Sequence, residues 1–353
     1  MGISKELRGV VDEAVRRRVS MTVRTGAMAL AVGALGLSGG ISTAALAAPA
    51  CAVTRSGAPH ALYGTLALAV SAASGGETLM VRGTCEGQTT ITANTTPLTI
   101  RGTGTGIGST LTGGYQDGSV LTVEKGVTAV VSGVTIMAGT GTMLTPEPER
   151  TITIGGGVLN EGTLTINNSY ITKNFAVDGG GIEDRGGILT LSNSTVRENN
   201  GGFGGAISVE VGSATVNSSY ITANKAFQGA GIDAGTGATV TLNSSRVNTN
   251  KAFTYGGGLL VVEGSTAVLN DSIVTGNIAT YGGGLAVEGV HTPPEEGSTV
   301  GSTLTLNGPS MVTENKASAI EGGGGIYFEN GAKLNLGPGI VARNTPENLF
   351  EVP

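Results

Sequence analysis

Tryptophan is absent from this sequence of 353 residues, and phenylalanine and tyrosine together supply only 4% of it. Charged residues are sparse at 13%. The two histidines, His60 and His291, stand alone, and neither has a metal-ligand partner at useful spacing. Serine and threonine abound, but a serine nucleophile without a positioned histidine is not credible. No apolar run is long and bulky enough to be a confident membrane span. With only two cysteines, Cys51 and Cys85, a cysteine-rich metal site is excluded as well.

What is present is glycine. The 61 glycines are about 17% of the chain, against a usual share of about 7%. They follow no triplet period, so collagen is excluded. Combined with abundant Thr, Val and Ile, they favour short strands broken by turns. The composition is all-β.

The N-terminus reads as an export signal. Arg24 precedes "GAMALAVGALGLSGGIS", and the small-residue site "AALAAPA" follows, in the order of a secretory signal peptide. Residues 1–47 are assigned to it, with cleavage after Ala47 or Ala50 and Met21 as an alternative start. Its removal leaves 14 basic and 23 acidic residues, a net charge of −9. That balance argues against nucleic acid or an anionic membrane as partner. No membrane span is expected after cleavage. In an exported protein, Cys51–Cys85 is by default a disulfide. The competing reading, lipidation of Cys51, is disfavoured because "APAC" lacks the preferred Leu and would strand Cys85.

"NIATYGGGLAVE" (277–288) resembles a phosphate loop in isolation, yet neither a helix nor GK[ST] follows it. It is instead one copy of a repeat. Glycine corners end in Val158, Ile182, Ile207, Ile232, Leu259, Leu285 and Ile326, 24 to 27 residues apart except for a last interval of 41. The insert "HTPPEEGSTVGS" accounts for that excess. Strand-like segments such as "LTINNSYITKN" recur with the corners. They carry two asparagine registers: Asn167, Asn217, Asn243 and Asn270, with Ser192 interrupting, and Asn174, Asn199, Asn224, Asn250, Asn277, Asn315 and Asn344.

A period near 25 predicts one turn of a single-stranded parallel β-helix, three short strands and three corners per coil, stacked about 4.8 Å apart. Stacked asparagines would satisfy one another as a ladder. The coils are expected over 77–345, with regular repeats over 155–345. Residues 48–76 are expected to cap the open N-terminal end. A helix over 60–74, with Leu62, Leu66, Ala69/Val70 and Ala73 on one face, would do so, pinned by the disulfide. Residues 346–353 would cover the other end with Pro346, Leu349 and Phe350.

On these motifs the chain resembles right-handed parallel β-helix proteins of the pectin lyase-like superfamily. Its "GGAI" (204–207) and repeated [IV]-x-x-N are similar to polymorphic membrane protein repeats, GGA[ILV] and FxxN, with Ile171, Val196, Ile221, Val247 or Ile273 in the aromatic position. It also resembles secreted actinobacterial β-helix proteins that open with a Cys…Cys capping segment. The resemblance implies an extracellular adhesive or polysaccharide-facing solenoid, but no particular activity. The Asn-x-Asp, Asp-Asp and Gly-His-Gly signatures of polygalacturonase-like hydrolases are missing.

Sugar-cleaving members of that superfamily work on the outer face of one sheet, so outward positions after each corner matter. With the closing apolar residue inward, the next residue and the third both face out. The first set is Glu183, Ser208, Asp233, Ala286 and Tyr327. The second is Arg185, Glu210, Gly235, Glu288 and Glu329, with Glu263 joining if Leu260 rather than Leu259 faces in. This predicts a solvent-facing acidic rail, densest at Glu183, Arg185, Glu210 and Asp233. Paired carboxylates could serve inverting hydrolysis, or bind Ca²⁺ beside an Arg base. A merely solvated, association-blocking face is the leading reading. The loops 142–150 and 291–299 are candidates for specificity. Phe203, Phe227, Phe253, Tyr255 and Tyr281 either stack on sugars or on each other. The expected protein is a monomeric, secreted binder of an extracellular glycan or protein, without cofactor. A polysaccharide lyase or hydrolase is the second reading, a passive spacer the third.

Overall fold

The computed structural model describes residues 51–103, 108–147, 150–289 and 300–352. The expected signal peptide and its cleavage site, and His291 with the insert around it, lie outside these residues.

The described chain opens with β1 (Ala52–Arg55), antiparallel to both β2 (Ala58–Tyr63) and β3 (Thr78–Glu86). The Cys51–Cys85 disulfide, spanning 34 positions, ties the start of β1 to the end of β3. Between β2 and β3 lies α1 (Leu66–Ala72), shorter than the helix expected over 60–74. Residues 60–63 pair with β1 instead, Leu62 opposite Thr54 and Tyr63 opposite Val53. Leu62 is consequently 70% exposed and takes no part in the apolar face. Thr65 fixes the helix start, its hydroxyl accepting from the Leu68 N–H at 3.2 Å. Leu66, Ala69 and Val70 enter the main core.

Beyond this segment nearly all strands are parallel. One unit supplies Thr163–Asn167, Tyr170–Thr172, Phe175–Asp178 and Ile182–Arg185. Each pairs in parallel with its counterpart one unit later, Ile188–Ser192, Thr195–Arg197, Asn200–Phe203 and Ile207–Glu210. The unit therefore has four short strands, not three. The extra break falls where Asn168, Asn193, Ser218, Ser244 and Asp271 take left-handed φ between 46° and 50°, bending what the sequence reads as one strand. Among the described residues the strands form sheets of 21, 8 and 10 strands. Long stacked parallel ladders of this kind are compatible with a β-helix-like solenoid.

Alternation sends every second residue inward, and equivalent residues stack. Leu164, Leu189, Ala214, Val240, Ala267 and Leu304 form one such column, all buried. Val196, Ile221 and Val247 form another, continued by Val274. The expected Ile273 is the neighbour of that position, half-buried opposite Arg246. Beside this column runs the asparagine ladder. Asn174 Nδ2 donates to Asn199 Oδ1 at 3.0 Å, and the bond repeats through Asn224, Asn250, Asn277, Asn315 and Asn344.

At the corner "YGGGL", Gly282 alone of the three has left-handed φ, 62°. Gly283 is needed for a different reason: a Cβ there would lie 2.4 Å from the Lys316 carbonyl. The coil spacing leaves no room for it.

Earlier coils continue the same ladders, with Thr128–Ser132 pairing with Thr163–Asn167 and Thr135–Met137 with Tyr170–Thr172. The expected loop at 142–150 belongs to an antiparallel hairpin, Thr142–Glu147 with Arg150–Ile154. At the far end, Leu349–Val352 adds one more parallel strand to Ile326–Glu329 rather than trailing as a tail.

Candidate functional site

The glycine corners place two columns of outward-pointing side chains side by side. One consists of the residues just before each corner: Ile154, Asp178, Phe203, Gln228, then Tyr255 and Tyr281. The other follows each corner: Leu159, Glu183, Ser208, Asp233, Leu260, Ala286, Tyr327 and Phe350. The columns touch. Ile154 and Val177 pack on Leu159 at one end, and Tyr255 on Leu260, Ala286 and Tyr327 toward the other.

That contact overturns the expectation of a solvent-facing acidic rail. Pointing away from the main core is not the same as reaching water, because the adjoining sheet covers the position. Glu183 is 0% exposed, Asp233 6% and Glu288 3%, while Arg185 and Glu210 are half-buried. Phe203, also expected at the surface, is 5% exposed.

Between the two apolar stretches lies a buried polar seam. Glu183 registers with Ser208 on the next strand, and Ser208 in turn with Asp233, while Arg185 lies beside Glu210. Burial holds the Glu183 carboxyl well above the usual carboxylate range, and the charges of Glu210 and Asp178 push it further. Ser208 and Arg185 oppose that rise only in part. Neither Glu183 oxygen has a hydrogen-bond partner of normal geometry, and neither has the side-chain amide of Gln228. A neutral, protonated Glu183 is the form this site favours. Among the described residues no group of three or more His, Cys, Asp or Glu side chains has a geometry that could hold a metal ion.

A second buried acid, Asp184, points inward. It occupies the position filled by Val209, Ala234, Val261 and Val287 in later coils. Burial raises its carboxyl to about 7, against the pull of Asn160 and the Ser213 backbone. Asn160 Nδ2 donates to Asp184 Oδ1 at 2.5 Å, and Asn160 Oδ1 accepts from the Gly162 N–H at 3.2 Å. This pair joins the turns of adjacent coils.

The remaining rail acids bind backbone. Glu288 Oε2 accepts from the Glu263 N–H, and Glu329 Oε2 from the Gly289 N–H at 3.1 Å. Each carboxylate thus caps the turn of a neighbouring coil. Glu263 itself is not on the rail, because Leu259, not Leu260, registers with the inward Ile232. Val262 takes the expected outward place, and Glu263 sits in the turn at φ 53°, accepting from the Thr236 hydroxyl at 2.6 Å.

Toward the C-terminal end the columns become aromatic. Tyr255 and Tyr281 stack at 5.1 Å, Tyr281 meets Tyr327 at 5.2 Å, and Tyr327 stacks on Phe350 at 6.0 Å. Phe227 and Phe253 form a separate stack at 5.4 Å. The rings thus use much of their faces on each other, as one of the two expected arrangements required. Tyr255, Tyr327, Ala286, Glu288 and Glu329 pack around a shallow depression with no room for a water molecule. Burial raises both the Tyr255 and Tyr327 hydroxyls above the ordinary phenol range, aided by neighbouring tyrosines and Glu329, so they remain protonated donors.

Four members of this site went unread in the sequence: Asp178, Asp184, Gln228 and the ring contact of Phe350. A signal for two existed. Asp178 and Gln228 immediately precede a corner glycine, the position held by Tyr255 and Tyr281 in other repeats. The chain matches no protein-family model, no curated protein and no solved structure.

Proposed function

We propose that the chain is a secreted, non-catalytic binding module, built as a right-handed parallel β-helix of the pectin lyase-like kind, with α1 and its hairpin as the N-terminal cap. Its contact with an extracellular glycan or protein is made on the partly exposed aromatic stack of Tyr255, Tyr281, Tyr327 and Phe350, with the paired strands Thr142–Glu147 and Arg150–Ile154 as a second contact. One observation carries this reading: Glu183 and Asp233 are withdrawn, Glu183 being 0% exposed, whereas the stacked rings of Tyr255, Tyr281, Tyr327 and Phe350 stay partly exposed. A glycosidase needs two carboxylates flanking its substrate, and a glycan cannot reach Glu183. The disulfide suits an extracellular setting.

The test is a screen of the chain against glycan and protein arrays. In parallel, polyuronates and neutral glycans are assayed with and without Ca²⁺ for unsaturated products and new reducing ends. Saturable binding without turnover, weakened by Tyr327→Phe, is expected. Turnover that disappears in Glu210→Gln would establish the lyase or hydrolase instead.

A further inference from the structure

One outer face carries neither charge nor rings. From Thr128–Ser132 to Thr303–Asn307, consecutive parallel strands present three outward columns with no register shift. The middle column is Val130, Thr165, Thr190, Thr215, Thr241, Val268 and Thr305. On one side of it run Thr128, Thr163, Ser213, Thr239, Thr266 and Thr303, interrupted by the exposed Ile188; on the other run Asn and Ser. Charges bound the array at both ends, Arg101 one coil before Ser132 and Lys333 one coil after Thr303. The next ladder differs, carrying Tyr170, Arg197, Tyr220 and Arg246.

Three properties make this face an ordered lattice. The columns repeat at the strand spacing, about 4.8 Å, and stand about 6.7 Å apart along each strand. Threonine is β-branched and restricted at χ1, so each hydroxyl and methyl has few orientations open to it. The asparagine column is locked by its own bonds, Asn243 Nδ2 to Asn217 Oδ1 at 2.8 Å and Asn270 Nδ2 to Asn243 Oδ1 at 2.7 Å. Such side-chain ladders favour a flat sheet. Among the described residues, no group hydrogen-bonds the hydroxyls of Thr165, Thr190, Thr215 or Thr241, so their partners are in the solvent.

We infer that this threonine face binds crystalline water, adsorbing to an ice surface. The two spacings lie close to oxygen–oxygen repeats of hexagonal ice, and the repeating hydroxyl–methyl pattern orders water at those steps. Between Arg101 and Lys333 the columns offer a polyanion no cation. A crystalline polysaccharide would want coplanar rings, and these columns have none. The adsorption uses a different face from the aromatic stack and does not depend on it.

The experiment grows a seeded single ice crystal in a solution of the chain. It records crystal shape and the gap between melting and growth temperatures. Faceting and a measurable gap are expected, both abolished by Thr215→Tyr, which breaks the plane, and both retained by Lys251→Tyr on another ladder. Melting temperatures of the variants are compared with the parent. If Thr215→Tyr melts lower, Thr190→Tyr one coil earlier carries the same expectation. Unshaped ice with the parent chain, or shaping that survives both variants, overturns the inference. Adsorption to crystalline chitin or cellulose but not ice, lost in Thr215→Tyr, overturns water as the ligand and leaves the binding reading standing. Absence of any glycan or protein ligand would remove that reading without touching this one.

Discussion

Asn224 Nδ2 donates to Asn250 Oδ1 at 2.9 Å, and the same Oδ1 accepts the Asn224 backbone N–H at 3.0 Å. Each ladder asparagine thus satisfies two donors of the coil before it, while its own amide reaches back to the carbonyl of Val196 or its equivalent at 3.0 Å. Both residues are fully buried.

Removing one rung should therefore be costly. Asn224→Ala leaves the Asn199 backbone N–H and one of the two Asn199 Nδ2 hydrogens unsatisfied, the other still reaching the Ile171 carbonyl, at about 1–3 kcal/mol per buried group. A loss of about 3 kcal/mol or more is expected in urea unfolding monitored by circular dichroism. Asn243→Ala, on the half-exposed outer ladder, should stay within about 1 kcal/mol. Equal losses would show that the inner ladder is not the stronger element.

The corner glycines divide into two kinds, and substitution should separate them. Gly237 has left-handed φ of 73°, and nothing lies within 4 Å of the place a Cβ would take. Gly237→Ala should cost only the left-handed penalty of about 1–2 kcal/mol. Gly283 has ordinary φ, but its Cβ would strike the Lys316 backbone at 2.4 Å. Gly283→Ala must separate two coils, and should lower the unfolding midpoint well beyond Gly237→Ala. A milder effect for Gly283→Ala would mean the coils can spread.

Stability should fall as pH rises toward neutrality. Burial raises the Asp184 carboxyl from 3.8 to about 7 in the folded state, and Glu183 is raised as well. A raised carboxyl binds its proton more tightly folded than unfolded, so the folded state is favoured in full below the ordinary carboxylate value. For Asp184 that advantage is lost between pH about 4 and about 7, on the order of a few kcal/mol. Asp184→Asn keeps an oxygen for Asn160 and removes the titration. Its unfolding midpoint should exceed that of the parent at pH 8 and match it at pH 4. A parent protein whose stability climbs from pH 4 to pH 7 would contradict this.

Much of this architecture is legible because each coil repeats the same demands. An inner asparagine, an apolar residue three before it and a glycine corner recur wherever the backbone turns the same way. What a one-dimensional pattern does not carry is the angle between sheets. Alternation correctly directs Glu183 and Asp233 away from the interior, yet the corner folds a second sheet over them and keeps water out. The Leu259–Leu260 pair is ambiguous for a related reason, since both are buried, one inside the coil and one beneath Tyr255. Leu62 fits a helical stripe only until β1 offers it a strand partner. Asp184 is invisible because aspartate at an inward position contradicts the pattern that identifies the position.

Loss of the disulfide should be felt locally. Cys51–Cys85 closes a loop of 34 positions, which in the chain-entropy account stabilises by about 3–4 kcal/mol. In a stack of coils each unit depends on its neighbours, so a defect at one end frays that end first. The bridge ties β1 to β3, and Leu66, Ala69 and Val70 of α1 pack into the core there. In Cys51→Ser/Cys85→Ser, amide hydrogen exchange should accelerate in β1, β2 and α1. The asparagine-ladder amides of Asn199 to Asn315 should exchange as slowly as in the parent, because their partners lie on coils beyond the defect. Uniform acceleration along the chain would instead mean that the solenoid unfolds as one cooperative block, with the N-terminal segment as part of its core.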